Sequence, residues 1–377
     1  MTGSLENWLT GRFMPAGQEE EMRYTKFWGF FLAVVFFVFP AVQSVAAKNV
    51  PKDVTYLLGL YYGNGSVFLV RENRGELELL YQTDPADKDF SHANIFPLKK
   101  VRFDSYTINE AGPLLSAEAA VRFERDADGN GILCKVGGKR FTRAFFPGQG
   151  NKTQRLEPNA NAAALKSKAA QFTPPASLQK GKAAHLVNLR QAVPSALFDL
   201  RYATDNNIFG VPLYAEKVTA MLDEQAGKAL QKAASFLGTH GYGLLIWEAY
   251  RPWYISKLAS DLLPAKQKGM LPLPKEGEDR NTGLAVDVSL YYLDSGLPVA
   301  MISDFDEISP CQFPAYAGGT EKQRQQRDLL VKIMQDSGFV QGEQEWWHFT
   351  LGDVAGFQHL NLPNQYRPSN GRFVLRL

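Results

Sequence analysis

Glu345-Trp346-Trp347-His348-Phe349 lies near the C-terminal end of the chain, and the reading of everything before it turns on these five residues. An imidazole follows a carboxylate by three positions, set among three large aromatics. The aromatics are core or cavity-wall residues, and Phe339 to Phe349 reads as strand. Neutral imidazole is a common ligand for catalytic zinc, and a carboxylate beside a metal can act as general base on metal-bound water. A half-buried histidine in an aromatic strand fits the same residues. The rest of the chain decides between the two.

Upstream of this stretch, strand and helix signals alternate. Lys322 to Ser337 has helical spacing, with Leu329, Leu330, Ile333 and Met334 on one side. Met221 to Thr239 repeats the pattern through Leu222, Ala226, Leu230, Ala233 and Leu237, and Gly241 stops it. Leu244-Leu245-Ile246-Trp247 is a buried strand, and Ala285 to Tyr292 alternates like another. Residues 183–368 thus form a compact α+β domain.

Five blocks in this domain carry a resemblance. They are Asp199-Leu-Arg-Tyr-Ala-Thr-Asp-Asn-Asn-Ile-Phe-Gly210, Ile246-Trp-Glu-Ala-Tyr-Arg-Pro252, Gly283-Leu-Ala-Val-Asp287, Ser303-Asp-Phe-Asp-Glu307 and Glu345-Trp-Trp-His-Phe349. In order and rough spacing they resemble the zinc D-alanyl-D-alanine dipeptidases of the vancomycin-resistance type, relatives of the zinc D,D-carboxypeptidases. The resemblance implies a zinc D,D-peptidase-like fold and one zinc ion. It makes Asp287 and His348 metal ligands, Glu345 the general base, and Arg251 the cation facing the developing oxyanion. Asp306 matches, more loosely, a carboxylate that binds the substrate's free amine. The chemistry is coherent: catalytic zinc needs three protein ligands and one open position, with a base in reach of its water.

One position departs from the pattern. The family's first histidine ligand falls seven residues before Asp287, where this chain has Arg280, and the family serine two places earlier is Glu278. A guanidinium has no lone pair to give a metal. Three explanations stand. Asp279 or Glu278 substitutes as a ligand; Arg280 puts its own charge where the zinc sat, against Asp287 and Glu345; or the site takes another metal or none. His92, His185, His240 and His359 are not placed by sequence to help. The expected function is an exported dipeptidase-like metallopeptidase with an altered metal site, acting on cell-wall-derived D-amino-acid dipeptides. The alternatives are an inactive relative that binds peptidoglycan peptide termini, or a structural protein without a small-molecule site.

Residues 48–147 read differently. Leu57 to Tyr62, Ser66 to Arg71, Leu77 to Tyr81, Val101-Arg102-Phe103 and Val121-Arg122-Phe123 are strand-like, punctuated by Asn64-Gly65, Asp128-Gly129 and Gly137-Gly138. A small antiparallel β module, sheet or barrel, is expected, in an accessory role. Asp126 to Gly131 resembles the start of a calcium loop, but its twelfth position is Gly137, so it reads as a hairpin turn. Residues 148–182, with Pro174-Pro175 and runs of Ala and Asn, read as a flexible linker, and 369–377 as a tail.

The first 47 residues read as an export signal. Arg23 and Lys26 precede the uncharged run Phe27 to Val42, and Ser44-Val45-Ala46-Ala47 offers a cleavage site. Glu19-Glu20-Glu21 is out of place in a signal, so Met22 is read as the true start. Cleavage leaves no stable membrane anchor, and the expected location is periplasmic or secreted, with an N-terminal anchor as the alternative. At 377 residues, 45% hydrophobic and with a net charge of +2, the chain has no basic block suited to nucleic acid. Cys134 and Cys311 form no metal-site spacing and no disulfide framework.

Overall fold

The computed structural model describes residues 52–82, 84, 86–108, 119–145, 155–156, 162–214, 217–263 and 277–364. The stretches read as export signal and C-terminal tail lie outside these residues. No helix among the described residues is long and apolar enough to cross a membrane.

A short helix α1 (Lys52–Thr55) leads into eight strands: β1 (Gly59–Gly63), β2 (Ser66–Asn73), β3 (Glu76–Tyr81), β4 (Asn94–Arg102), β5 (Ser105–Ile108), β6 (Ala120–Arg125), β7 (Gly131–Val136) and β8 (Lys139–Arg143). Each pairs with the next in antiparallel register, and β1 closes on β8 through Tyr61↔Arg143 and Tyr62↔Thr142. The small module expected from sequence is therefore a closed eight-stranded barrel. Closure removes the two exposed edges an open sheet would leave. Alternate residues such as Tyr61, Phe68, Val70, Leu79, Phe123 and Phe141 fill the interior. Asn64 and Gly65, both with positive φ, make the β1–β2 turn. Asp126 turns its carboxylate onto the backbone N–H groups of Asp128 and Asn130, so the calcium-like run is a self-capped hairpin turn.

The first three strands are apolar on both sides. Their outward residues Leu60, Leu69 and Leu80, with Phe90, pack on Cys311 and Tyr316 of the following domain. Polar contacts reinforce the seam. Glu72, buried in β2, accepts the backbone N–H of Glu321 at 2.8 Å, and its own N–H donates to the Gly319 carbonyl. Ala317 N–H donates to the Asp89 carbonyl at 2.9 Å. Both cysteines are buried and unbridged.

The stretch expected as a linker contains α2 (Ala162–Ala169), which packs against the later helix Trp253–Leu262 of the next domain. That domain continues through β9 (Leu186–Asn188), α3 (Leu189–Ala192), β10 (Leu197–Phe198), β11 (Met221–Asp223), α4 (Glu224–Gly238), β12 (Tyr242–Glu248), α5 (Trp253–Leu262), β13 (Ala285–Tyr292), α6 (Glu321–Asp336), β14 (Phe339–Gln341) and β15 (His348–Leu351). Five strands form one sheet in the order β10-β12-β13-β15-β14, and β9 pairs with β11. The α+β reading of residues 183–368 matches this architecture. Asp223 caps α4 by accepting from Gln225 N–H, and the stripe Ala226, Leu230, Ala233, Leu237 is buried. Thr320 and Gln323 form a capping box at the start of α6.

The stretch 339–349 is not one strand. Glu345, Trp346 and Trp347 lie in the turn between β14 and β15, and only His348 onward is sheet. Side-chain volume explains the break. Both indoles are fully buried at the centre of the core, packed edge-on to each other and against Trp247. Alternate strand residues would point to opposite faces, whereas the turn sends both rings inward.

Candidate functional site

The site is a row of polar residues across the middle of this apolar sheet. Asp287 on β13 stands opposite His348 on β15 and opposite Glu248 on β12. Asp287 is fully buried and Glu248 is 5% exposed. Buried carboxylates need partners, and the segments around the sheet bring them.

Arg280 lies in a short helical turn, Asp279–Thr282, which a capping box between Glu278 and Asn281 starts and Gly283, in the left-handed region, ends. Its Nε donates to Asp287 Oδ2 at 2.6 Å, and its Nη2 donates to Asp287 Oδ1 and to Glu345 Oε2, both at 2.7 Å. His348 Nδ1 lies 2.9 Å from Asp287 Oδ1, and its Nε2 lies 3.9 Å from Asp279 Oδ2. Thr350 Oγ1 donates to Asp279 Oδ2 at 2.9 Å. One guanidinium thus ties together the residue matched to a ligand and the residue matched to the base.

Arg251 follows β12 and is equally enclosed. Its Nη1 donates to Glu278 at 3.1 Å, its Nη2 reaches Glu248 at 3.4 Å, and its guanidinium lies over the Tyr202 ring at 4.5 Å. Ser256 and Asn281 complete the bracing: Ser256 Oγ donates to Glu278, and Asn281 Nδ2 donates to Ser256 Oγ. The two arginines therefore share Glu278, with Arg280 Nη1 3.7 Å from it.

Asp306 is buried, with a φ of 54°, on the loop after β13. Its Oδ2 closes no hydrogen bond among the described residues. The same holds for the Tyr202 hydroxyl, Arg251 Nε, Trp247 Nε1 and Trp347 Nε1. Ring contacts through Phe305 link Tyr202, Trp247 and Trp347, so these atoms belong to one neighbourhood. Buried polar atoms are ordinarily satisfied; Asp306 and Tyr202 interact with each other, and the three N–H donors left open beside them suit a small polar ligand.

The electrostatics follow from burial and pairing. Burial raises Asp306 to about 7, and the nearby Glu345 charge pushes the same way. Burial also raises Glu248 to about 7, against the pull of Arg251. Burial acts on Asp287 too, but Arg280 and the His348 hydrogen bond outweigh it and hold it ionised below the usual carboxylate range. For His348, burial and Arg280 oppose the charge, and the neighbouring Asp279 and Asp287 carboxylates overcome them, so it sits above an ordinary imidazole.

All six residues singled out from sequence gather here: Glu345, Arg251, Asp287, His348, Asp306 and Arg280. Sequence reasoning missed Glu248 and Tyr202. Both lie inside quoted blocks, Glu248 at the end of a buried strand, which was the available signal.

Does this set suit a metal? Donor atoms of Asp287, Glu345 and His348 lie within 4.8 Å of one another. The space between Asp287 and Glu345, however, is taken by Arg280 Nη2, at 2.7 Å from each. Each positive charge brought to about 4 Å from that guanidinium would cost roughly 4 kcal/mol at an effective dielectric of 20. Both Asp287 oxygens are already engaged. The residues do not fit a zinc ion in the arrangement present.

A family model described as D-ala-D-ala dipeptidase matches residues 182–368. The D-alanyl-D-alanine dipeptidase of Enterococcus faecium is 30% identical over 195 residues, covering 47% of this chain and 94% of the relative. Those of Enterococcus faecalis and Escherichia coli are also 30% identical, over 86% and 87% of their lengths. The barrel lies outside the region matched by the family model. With the quoted blocks assembled into one site and these relatives matched over 86% to 94% of their lengths, this chain belongs to the D-alanyl-D-alanine dipeptidase family.

Proposed function

We propose that this chain is exported and recognises small D-amino-acid dipeptides, or the peptidoglycan peptide termini that carry them, at a site where Arg280 stands in for the family's zinc. One observation carries the reading: the buried Arg280 guanidinium bridges Asp287 and Glu345. It supplies the positive charge that these carboxylates need, but it offers no open coordination position and cannot lower the pKa of a water as zinc does.

What these residues can do is hold a ligand. Asp306, ionised, faces a free ammonium. Arg251 Nε and the two indole N–H groups offer donors to carbonyl or carboxylate oxygens. The Tyr202 hydroxyl can do either. Arg23, Lys26, the uncharged run Phe27 to Val42 and Ser44-Val45-Ala46-Ala47 support export.

A second reading keeps the activity: a hydrolase with an altered metal site. The proximity of the Asp287, Glu345 and His348 donors favours it, as does Asp279 beside His348, a carboxylate able to replace the missing histidine. That arrangement requires Arg280 to swing out.

Calorimetric titration with D-alanyl-D-alanine, in chelator and then with added zinc, separates the two. Metal-independent binding with no alanine released, weakened about tenfold or more by Arg251→Ala, is the expected result. Zinc-dependent alanine release abolished by Glu345→Ala would establish the hydrolase instead.

A further inference from the structure

In the barrel, the sheet register gathers cations that are scattered in sequence. Arg102 on β4 stands opposite Ser105 on β5, and Ser105 opposite Arg122 on β6. Arg122 stands opposite Lys135 on β7, and Lys135 opposite Arg140 on β8. Every position in this cross-strand row except Ser105 is basic. The chain neighbours Tyr106, Val121, Phe123, Cys134, Val136 and Phe141 fill the interior, so the row faces outward. Glu124 pairs with Lys135 at 2.5 Å, whereas Arg102 and Arg122 form no ion pair among the described residues. In a closed ring of eight strands, β6 lies halfway round from β2, and β1 to β3 carry the apolar seam. The centre of the row therefore looks away from the dipeptidase-like domain.

The antiparallel order also puts the start of β1, the β4–β5 and β6–β7 turns and the end of β8 at one end of the barrel. Tyr56, Val101, Phe103, Ile132 and Phe145 are exposed there, Phe103 to 71% and Val101 to 62%. Bonds and ring contacts join them into one rim. Arg125 lies 5.5 Å over the Phe103 ring and donates to the Gly129 carbonyl. Gly131 N–H donates to the Tyr56 carbonyl. Arg143 donates to that same carbonyl and lies 4.9 Å over the Phe145 ring. A connected set of exposed apolar residues marks a contact surface, where single ones would need no explanation. The basic row and the apolar rim meet on β4 and its turn, at Lys99-Lys100-Val101-Arg102-Phe103.

This combination selects the partner. Cations alone would suit any polyanion. Exposed valine and phenylalanine gain nothing from phosphate or carboxylate, but they gain from entering a lipid interface, where aromatic rings settle at headgroup level and basic residues meet anionic headgroups. The path of the chain agrees. It reaches this end of the barrel through residues 43–51, directly after the uncharged run Phe27 to Val42 that is read above as an export signal.

We propose that the barrel is a membrane-docking module. Val101 and Phe103 enter the interface of an anionic bilayer, and Arg102, Arg122 and Lys135 hold its headgroups. The barrel thereby keeps the protein at the membrane surface once the export signal is cut. No residue of the dipeptide site takes part, so the inference stands apart from the reading of that site.

Co-sedimentation with lipid vesicles tests it. The protein is taken from Ala46 onward, the compact unit that holds every described element, so that the apolar run itself cannot bind lipid. It is expected to bind phosphatidylcholine vesicles containing phosphatidylglycerol about tenfold or more tighter than phosphatidylcholine alone, and less as salt is raised. Phe103→Ser, and Arg102→Gln combined with Arg122→Gln, change exposed residues and should leave the melting temperature unchanged. Each is expected to weaken vesicle binding about tenfold. Failure to bind anionic vesicles overturns the proposal, as does binding that neither variant weakens. Equally tight binding to polyphosphate, indifferent to Phe103→Ser, would make the row a polyanion site and overturn it too. A dimer in sedimentation that Phe103→Ser splits, without vesicle binding, would make a second copy the occupant instead.

Discussion

At the scale of single residues, Arg280 organises the site. It is 4% exposed and bonds to two carboxylates. Replacing it with Met leaves Asp287 buried against one histidine, and removing one member of a buried ion pair costs about 3–5 kcal/mol. Urea denaturation of Arg280→Met is expected to show a loss of that order, whereas a variant as stable as the parent would mean the pair contributes little. Asp306 sets a pH dependence. Its folded pKa, about 7, lies above the ordinary 3.8, so between those values the folded state holds the extra proton. The sign follows: this group's contribution to stability falls as pH rises from about 4 to 7. Asp306→Asn is expected to flatten that part of the melting-temperature profile, and an unchanged slope would exclude Asp306 as its source. The same ionisation acts on ligand. A free dipeptide amine stays charged up to about pH 8, so affinity should rise from pH 6 to 7.5 in the parent and not in Asp306→Asn. Which residues gather at the site was legible because the motif blocks hold them in register. The pairing of Arg280 with Asp287 and Glu345 stood as only one of three explanations, since nothing local dictates which way a long side chain turns.

At the scale of elements, β12, β13 and β15 present Glu248, Asp287 and His348 in one cross-strand row. The periodicity of Ala285 to Tyr292 and Leu244 to Trp247 made these strands readable. The turn at Glu345–Trp347 was not, because an aromatic run has the same local pattern in a strand or in a buried turn. Helix α6 was readable through its stripe of Leu330, Ile333 and Met334, but its second cap was hidden. Glu72, some 250 residues earlier in the chain, accepts the Glu321 backbone N–H at 2.8 Å. A carboxylate there satisfies an orphan donor and complements the helix dipole. Glu72→Ala is expected to cost about 1–2 kcal/mol in chemical denaturation; no change would mean the capping box of Thr320 and Gln323 suffices alone.

At the scale of the whole molecule, barrel and dipeptidase-like domain are joined by an apolar seam. Separating them would expose Leu60, Leu69, Leu80 and Phe90. Scanning calorimetry is expected to show a single transition over both, and two resolved transitions would contradict so tight a seam. The seam was illegible in sequence, and sheet and barrel stood equally open for the β module, for one reason: both the seam and the barrel's closure are pairings between distant segments. The doubled apolar runs of β1 and β3 were the trace they left. The central claim is that Arg280 replaces the family's metal. It is tested most directly by zinc content and D-alanyl-D-alanine turnover in the full chain and in Arg280→His, which restores the histidine of the family pattern. The account predicts no stoichiometric zinc and no turnover in the parent, with zinc binding gained in Arg280→His. One zinc per parent chain, with turnover abolished by Glu345→Ala, would contradict it.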